Sequence, residues 1–259
     1  MSGASNRVRS TRRAGSRIAG VRASGFAPIL APVLAHAPHL VLFSGLGVGP
    51  DFMLPQRYLP GVRVTVPAWP EPQPWESLEH YAARMADLVR PAIRQGEPLF
   101  LGGMSFGAMV ALEAARLLNP RALLLIAGGY GGRDVAWYFR WLARPIGYTP
   151  TPVVRVSLKL SPLVFPLLGV RRGAPRVLLR DILPNANPRM YAWGAWAVGR
   201  WTYLGTAPCP VHEIQGTADL LVPPRPAAGT TFVPGGGHVI NLTHPRAVNR
   251  FLLERMATV

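Results

Sequence analysis

The sequence predicts an α/β fold in which a mostly parallel sheet of about six strands carries helices on both faces. Short apolar runs alternate with helical stretches, which is the pattern of parallel strands joined by crossover helices. Hydrophobic residues make up 49% of the 259 residues and charged residues 15%, a balance that favours a folded globular protein. The single cysteine, Cys209, excludes an intrachain disulfide framework and a cysteine-based zinc site.

Six short apolar runs predict the strands, and three stretches with apolar residues at three- and four-residue spacing predict helices. The strands are predicted at residues 39–44, 62–66, 98–101, 122–127, 211–214 and 230–233, and the helices at 75–95, 105–118 and 245–256. Gly96 follows the first helix, as expected for a glycine just past a helix end. Pro245 opens the last helix, where proline is a common first residue.

The net charge of +16 is confined to two segments of the chain. Residues 1–25 contain six Arg and no acidic residue, and residues 130–205 carry a net charge of +9. Residues 26–129 are neutral, and residues 206–259 carry +1. Since most of the chain is close to neutral, the charge does not by itself indicate a nucleic-acid-binding protein.

Composition divides the chain into three parts. Residues 1–37 are predicted to form a disordered basic tail or a targeting segment, because their start is rich in Arg, Ser and Gly without apolar periodicity. Residues 38–129 and 206–259 form the predicted α/β core. Residues 130–205 contain five Trp and many Pro and break the strand–helix alternation, which predicts a mostly helical insertion.

The N-terminal part favours a cytoplasmic protein, with export as the alternative. The tripeptide Ala35-His36-Ala37 has the small-x-small form of a signal-peptidase site, but Pro28 and Pro32 interrupt the short apolar run before it. No stretch of the sequence reaches the roughly 18 uncharged apolar residues that a membrane-spanning helix needs.

The segment Gly103-Met104-Ser105-Phe106-Gly107 fits the G-x-S-x-G pattern of a nucleophile elbow. An apolar strand precedes it and a helix rich in small residues follows, which is the context that this sharp turn requires. The turn would strain the backbone of Ser105, and side chains at positions 103 or 107 would clash with the neighbouring strand and helix. The alternative is a purely structural glycine turn.

An acid and a histidine follow Ser105 in the chain order that the elbow pattern requires. Asp219 comes after a predicted strand and a glycine turn, and His238 follows a glycine run nineteen residues later. His238 would act as the general base on Ser105, and Asp219 would orient the imidazole and stabilise its protonated form. A turn or helix-cap role for Asp219 and a surface-loop position for His238 are the alternatives.

The oxyanion hole is predicted to use the backbone N–H groups of Phe106 and Leu46. Phe106 follows the nucleophile, and Leu46 lies in the glycine-containing loop after the first strand. Such donors stabilise a tetrahedral intermediate by roughly 3–4 kcal/mol each. The alternative for this loop is a flexible turn.

These motifs resemble those of the α/β-hydrolase fold family, in its esterase and thioesterase-like branch. The resemblance is carried by residues 43–47, 103–107, 216–219 and 237–238. The sequence differs from the family pattern in having Ser44 where many members have His. It also lacks the two strands that usually precede the loop that contains Ser44. Because this family places a lid after the strand that follows the elbow helix, the resemblance implies that residues 130–205 form a helical lid.

We therefore expect a serine hydrolase of carboxylic esters or thioesters with an apolar acyl group, acting through an acyl-enzyme on Ser105. Trp137, Trp141 and Phe165 are predicted to line the acyl pocket, with packing of the insertion onto the sheet as their alternative role. An acyltransferase or C–C hydrolase with the same triad is a second interpretation. A non-catalytic basic protein that binds membrane or nucleic acid is a third.

The sequence implies no cofactor and no metal, because it contains no metal-ligand cluster, dinucleotide fingerprint or phosphate-binding loop. The arginines of residues 130–205 would attract an acidic acyl carrier or a membrane surface, with a solvated basic face as the alternative. No nucleic-acid partner is expected.

Overall fold

The computed structural model describes residues 37–143, 145–225 and 229–259. The predicted tail or targeting segment, including Ala35 and His36, lies outside the described residues apart from position 37. Across the described part, every helix is too short or too polar to cross a lipid bilayer.

In the described residues, six strands form one sheet in the order β2-β1-β3-β4-β5-β6, and every neighbouring pair is parallel. The strands are β1 (His39–Phe43), β2 (Arg63–Thr65), β3 (Leu99–Met104), β4 (Ala122–Ile126), β5 (Val211–Gly216) and β6 (Thr231–Val233). The predicted α/β fold with about six strands is confirmed, and the described sheet is wholly parallel.

The central strands are apolar along their whole length because helices cover both faces of the sheet. In β1, Leu40 and Leu42 point into one core layer, and Val41 and Phe43 point into the other. The layer around Val41 contains α1 (Leu78–Val89) and α2 (Phe106–Leu118), and the layer around Leu40 contains α8 (Pro245–Ala257). Alternate side chains of one strand therefore join the two helical layers to the sheet.

Helix α1 is shorter than the predicted span of 75–95. It begins after Ser77, whose side chain caps the helix by accepting a hydrogen bond from the His80 N–H. It ends at Val89, where a 3₁₀ turn, Arg90–Ala92, takes over. Pro91 has no N–H to continue the α-helical hydrogen bonds, which explains the early end.

Residues 130–205, called here the inserted segment, are largely helical between β4 and β5. Their helices are α3 (Trp137–Ala143), α4 (Thr151–Lys159), α5 (Ala174–Ile182) and α6 (Pro188–Arg200), with 3₁₀ turns at Gly132–Asp134, Ile146–Tyr148, Ser161–Leu163 and Leu183–Asn185. A short helix α7 (Ile240–Thr243) precedes α8, and a 3₁₀ helix, Pro50–Gln56, follows β1. The domain boundaries and the role of the inserted segment as a lid stay predictions.

Candidate active site

Ser105 lies in the sharp turn between β3 and α2, at the carboxyl edge of the sheet. Its backbone has φ 55° and ψ −115°, a conformation that side-chain-bearing residues rarely adopt. The two flanking glycines permit the turn. A Cβ at Gly103 would overlap the carbonyl of Gly107, and a Cβ at Gly107 would overlap the carbonyl oxygen of Phe43. The strained turn therefore requires glycine on both sides of the serine.

Ser105, His238 and Asp219 form a continuous hydrogen-bonded chain. His238 Nε2 lies 2.9 Å from Ser105 Oγ, and His238 Nδ1 lies 2.8 Å from Asp219 Oδ2. Asp219 follows β5 and His238 follows β6, so the ends of neighbouring parallel strands bring them together. Both residues are buried, whereas Ser105 is partly open to solvent.

The two carboxylate oxygens of Asp219 have separate tasks. Oδ2 pairs with His238, and Oδ1 accepts hydrogen bonds from the backbone N–H groups of Leu221 and Val222 at 2.8 and 2.9 Å. Asp219 therefore has the turn role that was its alternative and also contacts His238. Because the turn fixes the carboxylate, Nδ1 of His238 carries its proton towards Asp219, which leaves Nε2 free to accept the Ser105 hydroxyl proton.

Leu46 and Phe106 lie in the wall of the same cavity as Ser105 and His238. Phe106 is the first residue of α2, so no earlier turn of the helix supplies a carbonyl acceptor for its N–H. Within the described part of the chain, neither the Leu46 N–H nor the Phe106 N–H donates to a protein acceptor. Both groups are thus available for a ligand oxygen.

The loop around Leu46 is fixed by hydrogen bonds to its carbonyl groups. The donors are Ser44 Oγ to Val48 O (2.6 Å), Trp69 Nε1 to Gly45 O (3.0 Å) and Asn187 N to Gly47 O (3.0 Å). The loop is therefore held in place, in contrast to the flexible turn that was the alternative. Ser44, which departs from the family pattern, uses its hydroxyl to close the loop on itself.

A cavity of about 780 Å³ opens over the candidate triad and extends beneath the inserted segment. Its wall is mainly apolar and combines core and inserted residues, such as Phe52, Met104, Met109, Phe139, Leu168 and Val222. A volume of this size is typical of a small-molecule site. Among the described residues, no group of three His, Cys, Asp or Glu side chains could hold a metal ion.

Trp137, Trp141 and Phe165, predicted to line the acyl pocket, lie outside the cavity wall, which corrects that prediction. Trp137 and Trp141 are one helical turn apart on α3 and are 65% and 67% exposed. Phe139 and Arg140 lie between them and line the cavity instead; Phe139, two positions from each Trp, points to the opposite side of the helix. Phe165 is fully buried in the core layer.

The inserted segment touches both loops of the candidate site through glycines, which the sequence reasoning missed. A Cβ at Gly194 would overlap the side chain of Leu46, so α6 packs directly on the predicted oxyanion loop. A Cβ at Gly169 would lie 2.6 Å from the Cα of Gly237, next to His238. The sequence signal for both contacts was a glycine inside a helical or apolar stretch, where a close backbone approach is one reason for its presence.

The sequence matches the model of the alpha/beta hydrolase family over residues 16–251. A thermophilic esterase from Thermogutta terrifontis, solved with malate bound, has a TM-score of 0.71 and 20% identity; the match covers 86% of this chain and 90% of that one. A putative aryl esterase from Burkholderia cenocepacia has a TM-score of 0.68 and 17% identity, covering 87% and 92%.

A thioesterase of prodiginine biosynthesis from Streptomyces coelicolor is also similar in structure. It has a TM-score of 0.56 and 19% identity, and the match covers 92% of this chain and 99% of that one. At these identities the similarity concerns the fold. No curated protein sequence matches the chain.

Proposed function

The chain belongs to the alpha/beta hydrolase family, and we propose that it is a serine hydrolase of carboxylic esters or thioesters with an apolar acyl group. The observation that carries the proposal is the hydrogen-bonded chain from Ser105 through His238 to Asp219, at the base of a mainly apolar cavity. The esterases and the thioesterase among the structural neighbours agree with this reaction class.

In the first half of the reaction, Ser105 Oγ attacks the carbonyl carbon while its proton passes to His238 Nε2. Asp219 Oδ2 keeps its hydrogen bond to Nδ1–H and stabilises the imidazolium. The carbonyl oxygen becomes negatively charged and accepts hydrogen bonds from the N–H groups of Leu46 and Phe106. The tetrahedral intermediate then collapses and expels the alkoxide or thiolate, which takes the proton from Nε2. The acyl group stays on Ser105.

In the second half, water attacks the acyl-enzyme. His238 Nε2 accepts a proton from this water, and the same pair of N–H groups holds the second tetrahedral intermediate. Collapse of this intermediate returns the proton from Nε2 to Ser105 Oγ and releases the carboxylic acid. The step consumes one water and needs no cofactor.

The apolar wall of the cavity accounts for the proposed apolar acyl group. Met104, Met109 and Val222 from the core line the same cavity as Phe139 and Leu168 from the inserted segment. An acyl chain bound there leaves water and gains about 0.8 kcal/mol per buried methylene group. Specificity should therefore rise with chain length until the cavity is filled.

Macromolecular partners and localisation stay at the level of proposals. An acidic acyl carrier or a membrane surface is proposed from the net charge of +9 in residues 130–205. Cytoplasmic localisation is proposed from the sequence alone.

A panel of p-nitrophenyl esters and acyl-CoA thioesters, graded by acyl length, tests the proposed reaction. We expect hydrolysis whose kcat/KM rises with chain length, and a loss of about 10⁴-fold or more in kcat for Ser105→Ala. Ser157→Ala is a matched control, because Ser157 lies in α4 outside the cavity wall and its hydroxyl donates only to Val154 O. Equal rates in the Ser105→Ala variant and the native protein would refute the proposal.

A further inference from the structure

The charged groups in the cavity wall have one sign. Arg133, Arg140 and Arg200 line the cavity, and the described lining contains no Asp or Glu. Arg133 lies in the 3₁₀ turn after β4, Arg140 in α3, and Arg200 at the end of α6. All three belong to the inserted segment, so the core supplies the serine and the inserted segment supplies the positive charge.

Backbone contacts bring these arginines to one wall of the cavity. Gly132 N donates to Trp201 O at 3.0 Å, and Gly131 forms an antiparallel bridge with Thr202. Arg133 follows Gly132 and Arg200 precedes Trp201, so the backbones of the two arginines lie side by side. Helix α3, which carries Arg140, packs against α6. We call these three residues the arginine wall.

No carboxylate neutralises the arginine wall within the described residues. Asp134, the acid next to Arg133 in the chain, accepts a hydrogen bond from the Tyr130 N–H and pairs with Arg225 instead. None of the three arginines has a carboxylate oxygen within ion-pair distance among the ion pairs of the described chain. Arg133 and Arg200 are exposed and Arg140 is half-buried, so the arginine wall places net positive charge at the solvent-facing side of a mainly apolar cavity.

Arg200 is held in position by two uncharged side chains. Its guanidinium lies 4.8 Å from the centre of the Trp196 ring and donates to the hydroxyl of Tyr148 at 3.2 Å.

We propose that the arginine wall binds a carboxylate or phosphate group of the substrate, so that the preferred substrates are anionic esters or thioesters with an apolar acyl group. This inference rests on the proposed function. Guanidinium groups match carboxylate and phosphate oxygens in planar paired hydrogen bonds, which are roughly twice as strong as hydrogen bonds between neutral groups. The anion sits either at the far end of the acyl chain or on the leaving group.

Two substrate pairs separate these positions. On the acyl side, p-nitrophenyl hexanoate is compared with the p-nitrophenyl monoester of adipic acid, which adds a terminal carboxylate. On the leaving-group side, the hexanoyl thioester of N-acetylcysteamine is compared with hexanoyl-CoA, which adds phosphates. The readout is the ratio of kcat/KM for the anionic member to that for the neutral member.

In one of the two pairs, the native protein should prefer the anionic member by about 10- to 100-fold, the range of one charge-assisted hydrogen bond. The triple variant R133Q/R140Q/R200Q should bring this ratio close to one, and the triple Lys variant at the same positions should keep part of it. The control R155Q/K159Q/R189Q removes the same charge from the same segment at a separate cavity, and it should keep the native ratio.

The outcomes are distinguishable. Neutral esters hydrolysed in a Ser105-dependent way, with equal ratios in the native protein and the Gln triple variant, would refute the arginine wall and leave the proposed function standing. If the control triple variant lost the preference for the anionic substrate to the same extent, the preference would come from general surface charge. That result would also refute the arginine wall. Absence of any Ser105-dependent hydrolysis would refute both. Should the Gln triple variant fail to fold, the three single substitutions, compared by circular dichroism, carry the same test.

Discussion

The sheet edge and the inserted segment meet at one cavity but are built in different ways. At the sheet edge, Ser105 is fixed by its backbone, in a strained turn between glycines, and His238 is fixed through Asp219. The inserted segment contributes side chains, apolar ones and three arginines, to the facing wall. Under the proposed function, the reaction would depend on backbone geometry in the core, and substrate choice would depend on side chains of the inserted segment.

The charges of the two regions differ in the same way. In the core, Arg63 forms hydrogen bonds with both carboxylate oxygens of Glu97, with the ring of His39 beside them. Five of the ten acids of the described core pair with an arginine, and residues 26–129 are neutral overall. In the inserted segment the cavity arginines have no carboxylate partner among the described residues. Charge in the core therefore stabilises the fold, and charge in the inserted segment is available to a ligand.

The largest effect is expected from the histidine of the core. His238→Ala should lower kcat by about 10⁴- to 10⁶-fold, because no other group would accept the Ser105 proton. His80→Ala is the matched control, since His80 is exposed on α1 and does not line the cavity. Steady-state kinetics with a p-nitrophenyl ester measures both. A comparable loss in the control, or near-native activity in His238→Ala, would break the assignment of chemistry to the sheet edge.

An intermediate effect is expected where the inserted segment touches the histidine loop. Gly169→Ala should lower kcat by about 100-fold, because the added Cβ pushes against Gly237 and displaces the neighbouring His238. Gly173→Ala has a similar positive φ, 83° against 82°, but its Cβ meets nothing closer than 3.8 Å. The control therefore shares the backbone strain without the collision. Equal kinetics for the two variants would show that the inserted segment does not position His238.

The smallest effect is expected on stability, in the ion pair of the core. The Arg63 hydrogen bond lowers the pKa of Glu97 from 4.5 to about 2, and burial lowers the pKa of His39 from 6.5 to about 4. Both depressed values mean that stability is lost on acidification, as pH falls from 6.5 through 4 for His39 and from 4.5 through 2 for Glu97. Chemical denaturation across pH 7 to 3 should show this decline.

Glu97→Gln should reduce the stability at pH 7 by about 1–3 kcal/mol and flatten its dependence on pH below 4.5. Asp51→Asn is the matched control, because its pair with Arg57 is exposed to solvent and contributes little. If the stability of the Glu97→Gln variant declined below pH 4.5 as steeply as that of the native protein, groups other than Glu97 would control the loss of stability in acid.

The core could be predicted because its signals are local. Most strands are short apolar runs between Gly, Pro or polar residues, so their positions follow from the sequence to within two residues, except that β3 continues to Met104, three residues beyond its predicted end at Leu101. The candidate site follows from the elbow, because G-x-S-x-G forces one backbone path, and parallel strands then bring Asp219 and His238 to the same edge.

The inserted segment could not be predicted to the same depth because its signals are tertiary. The seven residues of α3 are too few to show which side packs inward, so Trp137 and Trp141 were chosen where Phe139 and Arg140 line the cavity. The contact between Gly169 and Gly237 joins two loops that are distant in the sequence, so no periodic pattern of residues predicts it. Similarly, the start of α1 depends on the Ser77 cap rather than on apolar spacing.

Labelling with a fluorophosphonate probe tests the central claim, that Ser105 is the activated nucleophile, most directly. We predict one phosphonyl adduct, located by peptide mass spectrometry on Ser105, together with loss of esterase activity in proportion to labelling. The adduct should be absent in Ser105→Ala and strongly reduced in His238→Ala, where the hydroxyl has no base. An adduct on another residue, or labelling that persists in Ser105→Ala, would contradict the account.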